Sequence, residues 1–342
     1  MELNENIFRA NDIRGIAFED LTEEVIFALG KALGTESLNR KQDYFIIGRD
    51  GRISSPRLFE WLSEGVLSTG CNVIDIGIVP SPVFYHSTFK LKSSSGVVIT
   101  GSHNPGNYNG FKILFNNSST SSEEIQSIKK RIKEQDFLSG SGNIESLDVI
   151  ESYIEEVKRN INLNRPMNIS IDCGNGAAGV VAERVYNGLG CKVEGLYCDL
   201  NGNFPNHHPD PSRPENVEDL IKSVLKNKSE IGLAFDGDAD RLGVISPSGE
   251  MIFPDMQMIL FCQHVLKEKP NSKIVFDVKC SKLLEEAIFK SNGIPLMSKT
   301  GHTFIKSMIR DHGAILGGEM SGHIFFNDRW PGFDDGVYAG AR

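Results

Sequence analysis

Asp236, Asp238 and Asp240 stand at alternate positions in the run Asp236-Gly237-Asp238-Ala239-Asp240-Arg241, directly after the apolar stretch Ile231-Gly232-Leu233-Ala234-Phe235. In an extended or tightly looped backbone, alternate side chains fall on one side. Three like charges packed together are unfavourable unless something positive sits among them. A hard divalent cation with oxygen ligands is the usual solution, and Mg²⁺ keeps open positions that suit phosphate. The competing reading is a solvated acidic turn, which a short, Gly-containing loop after a buried-type strand disfavours. An EF-hand fits poorly, because Leu242 to Ile245 reads as a strand and no closing Glu follows at the required offset.

A second candidate lies far upstream. The apolar run Gly96-Val97-Val98-Ile99 reads as a buried strand and leads into Thr100-Gly101-Ser102-His103-Asn104-Pro105-Gly106. A serine on a Gly/Asn/Pro-rich turn just past a strand end is exposed and held by rigid backbone, as a nucleophile or phosphoryl carrier needs. His103 beside it invites a Ser-His hydrolase reading. Adjacent side chains in extended backbone point apart, however, and this is not the G-x-S-x-G elbow. Taken alone, the turn reads equally well as structural.

These loops need strands and helices to hold them, and the pattern alternates the two throughout. Tyr44 to Ile47 and Asn72 to Ile76 read as strands. Ser55-Pro56 supplies an N-cap and a proline at the first helical position, with Leu58, Leu62 and Val66 at helical spacing behind it. Ser121 and Glu124 form a capping box before the stripe Ile125, Ile128, Ile132. Ser139-Gly140-Ser141-Gly142-Asn143 reads as a loop near a domain edge. The next unit starts at Asn168 to Asp172, turns on Gly174-Asn175-Gly176 and continues as a helix from Ala177. Lys273 to Val278 is another strand, ending at Asp277-Val278-Lys279-Cys280-Ser281. Polar residues at the strands' C-terminal ends mark where open α/β sheets bind ligands. The fold class is α/β with mixed or mainly parallel sheets.

Four segments, in order along the chain, resemble the α-D-phosphohexomutase family, in its phosphomannomutase/phosphoglucomutase branch. Phe8-Arg9-Ala10-Asn11-Asp12-Ile13-Arg14-Gly15 is similar to the N-terminal signature, Thr100 to Pro105 to the phosphoserine loop, Asp236 to Arg241 to the metal loop, and Gly318-Glu319-Met320-Ser321-Gly322-His323 to the sugar-recognition loop. The resemblance implies consecutive related α/β domains with mixed sheets: residues 1–148 with the phosphoserine loop, 149–250 with the metal loop, and 251–342 with the sugar-recognition loop. It implies that Ser102 carries phosphate and joins Asp236, Asp238 and Asp240 around Mg²⁺. The expected activity interconverts hexose 1-phosphate and hexose 6-phosphate, of mannose or glucose, through a bound hexose 1,6-bisphosphate. The family's C-terminal fourth domain is expected to be missing from these 342 residues, and the third to be incomplete after Trp330-Pro331-Gly332-Phe333-Asp334-Asp335-Gly336.

A phosphate on Ser102 brings about two negative charges, for which Arg14, Lys112 and Arg241 are the candidate cations. The resemblance makes His323 or Lys112 the acid/base, while His103 orients the loop. Glu319 can accept two sugar hydroxyls, and Ser321 can bond in either sense. Lys279, with Ser281, sits at a strand end where it can meet the sugar or its phosphate, and Gly301-His302 lines the same cleft. His207 and His208, flanked by prolines, read as loop residues without chemistry.

Composition fits this class. A chain of 342 residues holds two or three domains, with 39% hydrophobic and 24% charged residues. A net charge of −9 argues against nucleic acid as a partner, and an anionic substrate needs a local basic patch. Met1 to Asn6 has neither a basic nor an apolar signal region, and no apolar run reaches membrane-spanning length. The six cysteines lack a C-x-x-C pair and read as reduced thiols of a cytoplasmic protein. Three alternatives stay open: a phosphoglucosamine mutase, an aspartyl-phosphate phosphatase or phosphotransferase, and a catalytically incomplete fragment that binds hexose phosphate. Mannose versus glucose preference and oligomeric state are not legible.

Overall fold

The computed structural model describes residues 3–9 and 12–342. Met1 and Glu2, and Ala10 and Asn11 of the N-terminal signature, lie outside the described residues. The chain forms two compact units, Met1–Tyr153 with Asn201–Asn203, and Ile154–Leu200 with Phe204–Arg342. No helix among the described residues is long and apolar enough to cross a membrane.

The first unit contains strands β1 (Ile13–Ile16), β2 (Tyr44–Arg49), β3 (Asn72–Ile78), β4 (Gly96–Ile99), β5 (Tyr108–Phe115), β6 (Ser118–Ser119) and β7 (Ile144–Ser146). They form one sheet in the order β1-β5-β4-β2-β3-β7, with β6 paired to β5. The pairings of β5 with β1 and β4 are antiparallel, whereas β4, β2, β3 and β7 run parallel. Its helices are α1 (Glu23–Asn39), α2 (Ser55–Leu67), α3 (Ser81–Lys90) and α4 (Ser122–Glu134). At the crossing of α1 and α2, a Cβ on Gly30 would stand 2.2 Å from the Leu62 carbonyl, so only glycine permits this backbone approach. Ser121 caps α4 through the full capping box with Glu124, and Ile125, Ile128 and Ile132 are buried beneath it. Helix α2 begins one position earlier than its proline suggests, with Ser54 as N-cap. Ser55 is not the cap because its hydroxyl is engaged by Asp50 and Asn109, at 2.6 and 2.9 Å.

Helix α5 (Ile150–Asn160) carries the chain into the second unit. There β8 (Asn168–Asp172), β9 (Lys192–Leu196), β10 (Ile231–Phe235), β11 (Leu242–Ile245) and β12 (Met251–Ile252) make a sheet in the order β12-β11-β10-β8-β9. Strands β13 (Lys273–Asp277), β14 (Ile294–Ser298), β15 (Leu316–Gly318) and β16 (Ile324–Phe326) make another, ordered β14-β13-β15-β16. Both are mixed: β10/β11, β11/β12 and β15/β16 are antiparallel, and the remaining pairs parallel. The flanking helices are α6 (Ala182–Gly188), α7 (Glu218–Asn227), α8 (Pro254–Glu268), α9 (Lys282–Lys290), α10 (His302–His312) and α11 (Gly336–Ala341). The helix expected from Ala177 starts instead as a 3₁₀ turn over Ala177–Val180, and α6 follows after Val181. That turn is tied down elsewhere, since the Ala177 N–H donates to the Gly237 carbonyl at 2.9 Å.

Candidate active site

In the first unit, β4 ends at Ile99 and the chain turns sharply. Ser102 is buried and sits in the left-handed region at φ 48°. Its N–H donates to Thr100 Oγ1 at 2.9 Å. The backbone here is therefore not extended, and Ser102 Oγ lies 3.2 Å from His103 Nδ1. The expectation that neighbouring side chains diverge fails for this reason. An L-residue held at positive φ in a tight loop stores strain that the surroundings must sustain.

Arg52 sustains it, and sequence reading missed this residue. Its buried guanidinium donates through Nη2 to the carbonyls of Ser102 and Asn104, at 2.8 and 2.7 Å, and through Nη1 to those of Pro105 and Tyr108, at 2.6 and 3.0 Å. Asp50 faces its Nε at 3.2 Å and accepts the Gly101 N–H at 3.2 Å. The fork of donors on one rigid plane can satisfy four carbonyls at once, which a lysine cannot do. Arg52→Lys is therefore expected to destabilise the protein by about 3 kcal/mol or more, the cost of stranding buried polar groups. Urea unfolding reads this directly, and an unchanged midpoint would show that the clamp is dispensable.

Arg14 and Lys112 belong to the same sheet. Arg14 pairs with Gly110 across β1 and β5, and Lys112 pairs with Val98 across β5 and β4. Gly110 and Lys112 are two residues apart, so the two basic residues share a face near the strand end that launches the Ser102 loop. Lys112 is buried, and Arg14 forms an ion pair with Asp12.

In the second unit the acidic loop connects β10 to β11. Asp236, Asp238 and Asp240 are each fully buried, and one oxygen from each lies within 4.8 Å of the others. Ala239 at φ 62° folds the loop back, and the Arg241 N–H donates to Asp236 Oδ1 at 3.2 Å. The Arg241 Nε stands 3.9 Å from Asp236 Oδ2. Three buried carboxylates against this cation leave negative charge that a hard metal ion would neutralise, and an all-oxygen donor set fits such an ion. The acidic loop thus passes as a metal site on its own chemistry. A second cluster, Asp240, His323 and Asp334, also converges. There Lys306 Nζ lies 2.6 Å from Asp334 and already supplies the positive charge.

The sugar-loop candidates join this loop. Arg241 forms an isolated antiparallel bridge with His323, and the Leu242 N–H donates to the Gly322 carbonyl at 3.0 Å. Arg241 Nε donates to His323 Nε2 at 3.1 Å, which leaves the ring proton on Nδ1 facing Asp334 at 3.0 Å. Nε2 of His323 is thus hydrogen-bonded, while Nδ1 faces two carboxylates by charge without hydrogen-bond geometry, with Asp240 at 3.5 Å. The His302 ring stacks on that of His323 at 5.3 Å, with Nδ1 3.6 Å from Asp334. Burial alone would raise the Asp334 carboxyl, but Lys306 and then His323 outweigh it and hold it well below its ordinary range. Asp334 and Lys306 are missed residues. The Asp-Asp-Gly run and both histidines were visible in sequence, but their convergence on Asp334 was not.

Glu319 follows β15 and is buried, and burial pushes its carboxyl above the usual value. It accepts the Gly301 N–H and, at 3.4 Å, the Ser321 hydroxyl. Gly301, at φ 134°, adopts backbone that disfavours a side chain. Asp277 at the end of β13 ties the loops together: it accepts Thr300 Oγ1 at 2.9 Å and the Met320 N–H at 3.3 Å. Lys279 is exposed two residues beyond. Lys279, Gly301, Glu319 and Ser321 therefore line the C-terminal edge of the parallel strands β13, β14 and β15, while Arg14, Ser102 and Lys112 belong to the other unit.

His207 is more than a loop residue. Its Nε2 lies 3.0 Å from Asp172, whose carboxylate also caps the Gly174 N–H at 2.8 Å. Burial would push the imidazole down, but the hydrogen bond and charge of Asp172 win and raise it above its ordinary value. The folded state thus favours the protonated ring. Its contribution to stability is complete below the unfolded value of about 6.5 and is lost as pH rises through the raised folded value. The stability gap between wild type and His207→Gln should be widest below about pH 6.5 and narrow as pH rises above it in urea titrations. A gap independent of pH would contradict the pairing.

Comparison with known proteins matches this arrangement. The family descriptions Phosphoglucomutase/phosphomannomutase, alpha/beta/alpha domain I, domain II and domain III match residues 5–139, 151–249 and 253–342. A Phosphomannomutase/phosphoglucomutase of Pseudomonas aeruginosa is 47% identical over 337 residues, covering 98% of this chain and 73% of that protein. A Phosphoglucomutase of Neisseria gonorrhoeae is 44% identical, covering 99% and 74%. The crystal structure of a Phosphoglucomutase/phosphomannomutase family protein from Burkholderia thailandensis superposes with a TM-score of 0.97 at 44% identity, covering 100% of this chain and 76% of that one. The chain belongs to the phosphoglucomutase/phosphomannomutase family of α-D-phosphohexomutases.

Proposed function

We propose that this protein is a hexose phosphate mutase that interconverts the 1-phosphate and 6-phosphate of mannose or glucose in the cytoplasm. The observation that carries this reading is the Ser102 hydroxyl held at positive φ on the Arg52 clamp, in a chain 47% identical to a phosphomannomutase/phosphoglucomutase. Phosphorylated Ser102 gives its phosphoryl group to one hydroxyl of the sugar phosphate. The bisphosphate formed turns over, and its other phosphoryl group returns to Ser102, freeing the isomeric monophosphate. Each transfer breaks one P–O bond and forms another, so the enzyme's task is positioning and charge neutralisation.

Asp236, Asp238 and Asp240 would hold Mg²⁺, and the ion would supply neutralisation of the transferring group. Arg14 and Arg241 hold phosphate oxygens. Lys112, buried beside the strand end that launches the Ser102 loop, accepts and returns the hydroxyl proton, while His323, bonded through Nε2 to Arg241, serves to position that arginine. Glu319 and Ser321 read sugar hydroxyls in two opposed orientations, with Lys279, Gly301 and His302 beside them. The test is conversion of mannose 1-phosphate and glucose 1-phosphate to 6-phosphates, with catalytic glucose 1,6-bisphosphate added. Formation of neither product would overturn the assignment.

A further inference from the structure

Cys173 follows β8 and Cys198 lies just past β9, and these parallel neighbours place Asp172 opposite Leu196. The Cys173 N–H donates to the Leu196 carbonyl at 3.1 Å. Tyr197, at φ 52°, then reverses the chain and swings Cys198 back towards the strand end. The Cys198 thiol donates to Cys173 Sγ across 3.5 Å. Cys173 is fully buried, whereas Cys198 is partly exposed. The backbone of Cys198 is closely fitted, since a Cβ on Gly179 would stand 1.9 Å from its carbonyl oxygen. The pair thus joins a partly exposed cysteine to a fully buried one, with the two sulfurs in contact.

We propose that Cys173 and Cys198 form an oxidisable dithiol whose reactant is a small-molecule disulfide. The Cys198 thiolate attacks one sulfur of the reagent; the Cys198–S–S–R bond forms and one R–S⁻ leaves. Cys173 gives up its proton and attacks the Cys198 sulfur, displacing the second R–S⁻. Two protein thiols are oxidised, one small disulfide is reduced, and the protons given up by the cysteines end on the two released thiols. Bond formation needs the sulfurs to close from 3.5 Å to about 2.0 Å. Asn175 Nδ2 holds the Asp199 carbonyl at 2.9 Å, so the closure falls to the two side chains and not to the backbone.

This site is separate from the phosphate chemistry but adjoins its support. The turn after Cys173 rests on the metal loop, where a Cβ on Gly176 would meet the Gly237 carbonyl at 2.8 Å. Neither cysteine is a member of the acidic cluster.

The experiment incubates the native full chain with hydroxyethyl disulfide and digests it without reductant. Two of the six thiols should disappear, with a mass loss of two hydrogens and a joined peptide pair containing Cys173 and Cys198. Dithiothreitol should reverse all three changes. In Cys173→Ser the reaction should stop at a stable mixed disulfide on Cys198, seen as a mass gain. The wild-type map needs no variant to fold, so it decides alone. Arrest of the wild type at the mixed disulfide, or reaction at other cysteines while Cys198 stays free, would overturn the proposal.

Discussion

Alanine at position 102 should lower mutase turnover by about three orders of magnitude or more, the scale on which removal of a catalytic nucleophile acts. The fold should survive. The backbone at 102 is fixed from outside the side chain, by Thr100 Oγ1 on its N–H and by Arg52 on its carbonyl. Alanine tolerates φ 48° about as poorly as serine does, so the strain is common to both and cancels. What alanine removes is the hydroxyl proposed to carry phosphate. Activity with both sugar phosphates, set beside a thermal melt, separates chemistry from stability. Near-normal turnover would transfer the carrier role to an aspartate of the acidic loop, and a phosphate adduct mapped by mass spectrometry would name it.

The second large effect concerns the acidic loop, where Asp238→Asn should act in opposite directions without and with Mg²⁺. Without the ion, one of three mutually repelling buried charges is gone, and the variant should melt above the wild type. With Mg²⁺ at about a hundred times the wild-type dissociation constant, the wild type gains about 2.7 kcal/mol. The variant should gain almost nothing, because loss of a direct carboxylate ligand should weaken binding by about a hundredfold or more, when outer partners alone cost about 10–100-fold. The melting curves should therefore cross as the ion is added. Equal Mg²⁺ affinity by calorimetry would move the ion away from these three residues, with the Asp240, His323, Asp334 cluster as the next place to look.

Legibility in the sequence followed the distance over which the chemistry is built. The acidic loop was legible because its three carboxylates lie within five residues and after a recognisable strand. The capping box at Ser121 was legible for the same reason. Arg52 was not, since its partners lie about fifty residues downstream, and a lone arginine before a helix carries no local signal. Asp334, Lys306 and the commitment of His323 depend on how β15, β16 and α10 assemble. The thiol pair depends on the register of β8 against β9. His103 was misjudged because an extended backbone was assumed where Ser102 is left-handed. The helix after Gly176 was placed too early because Ala177–Val180 folds as a 3₁₀ turn before the α-helix at Ala182.

The bridge between Arg241 and His323 has a thermodynamic consequence. A cation that settles the acidic loop also settles Arg241, and through it the turn that carries Glu319 and Ser321. Two binding equilibria that share one mechanical element cannot be independent. Whatever factor the cation adds to affinity at the Glu319 turn, a ligand at that turn must add, in the same ratio, to affinity for the cation. The reciprocity can be checked by titrating each in the presence and absence of the other, and Arg241→Ala should bring both ratios towards one.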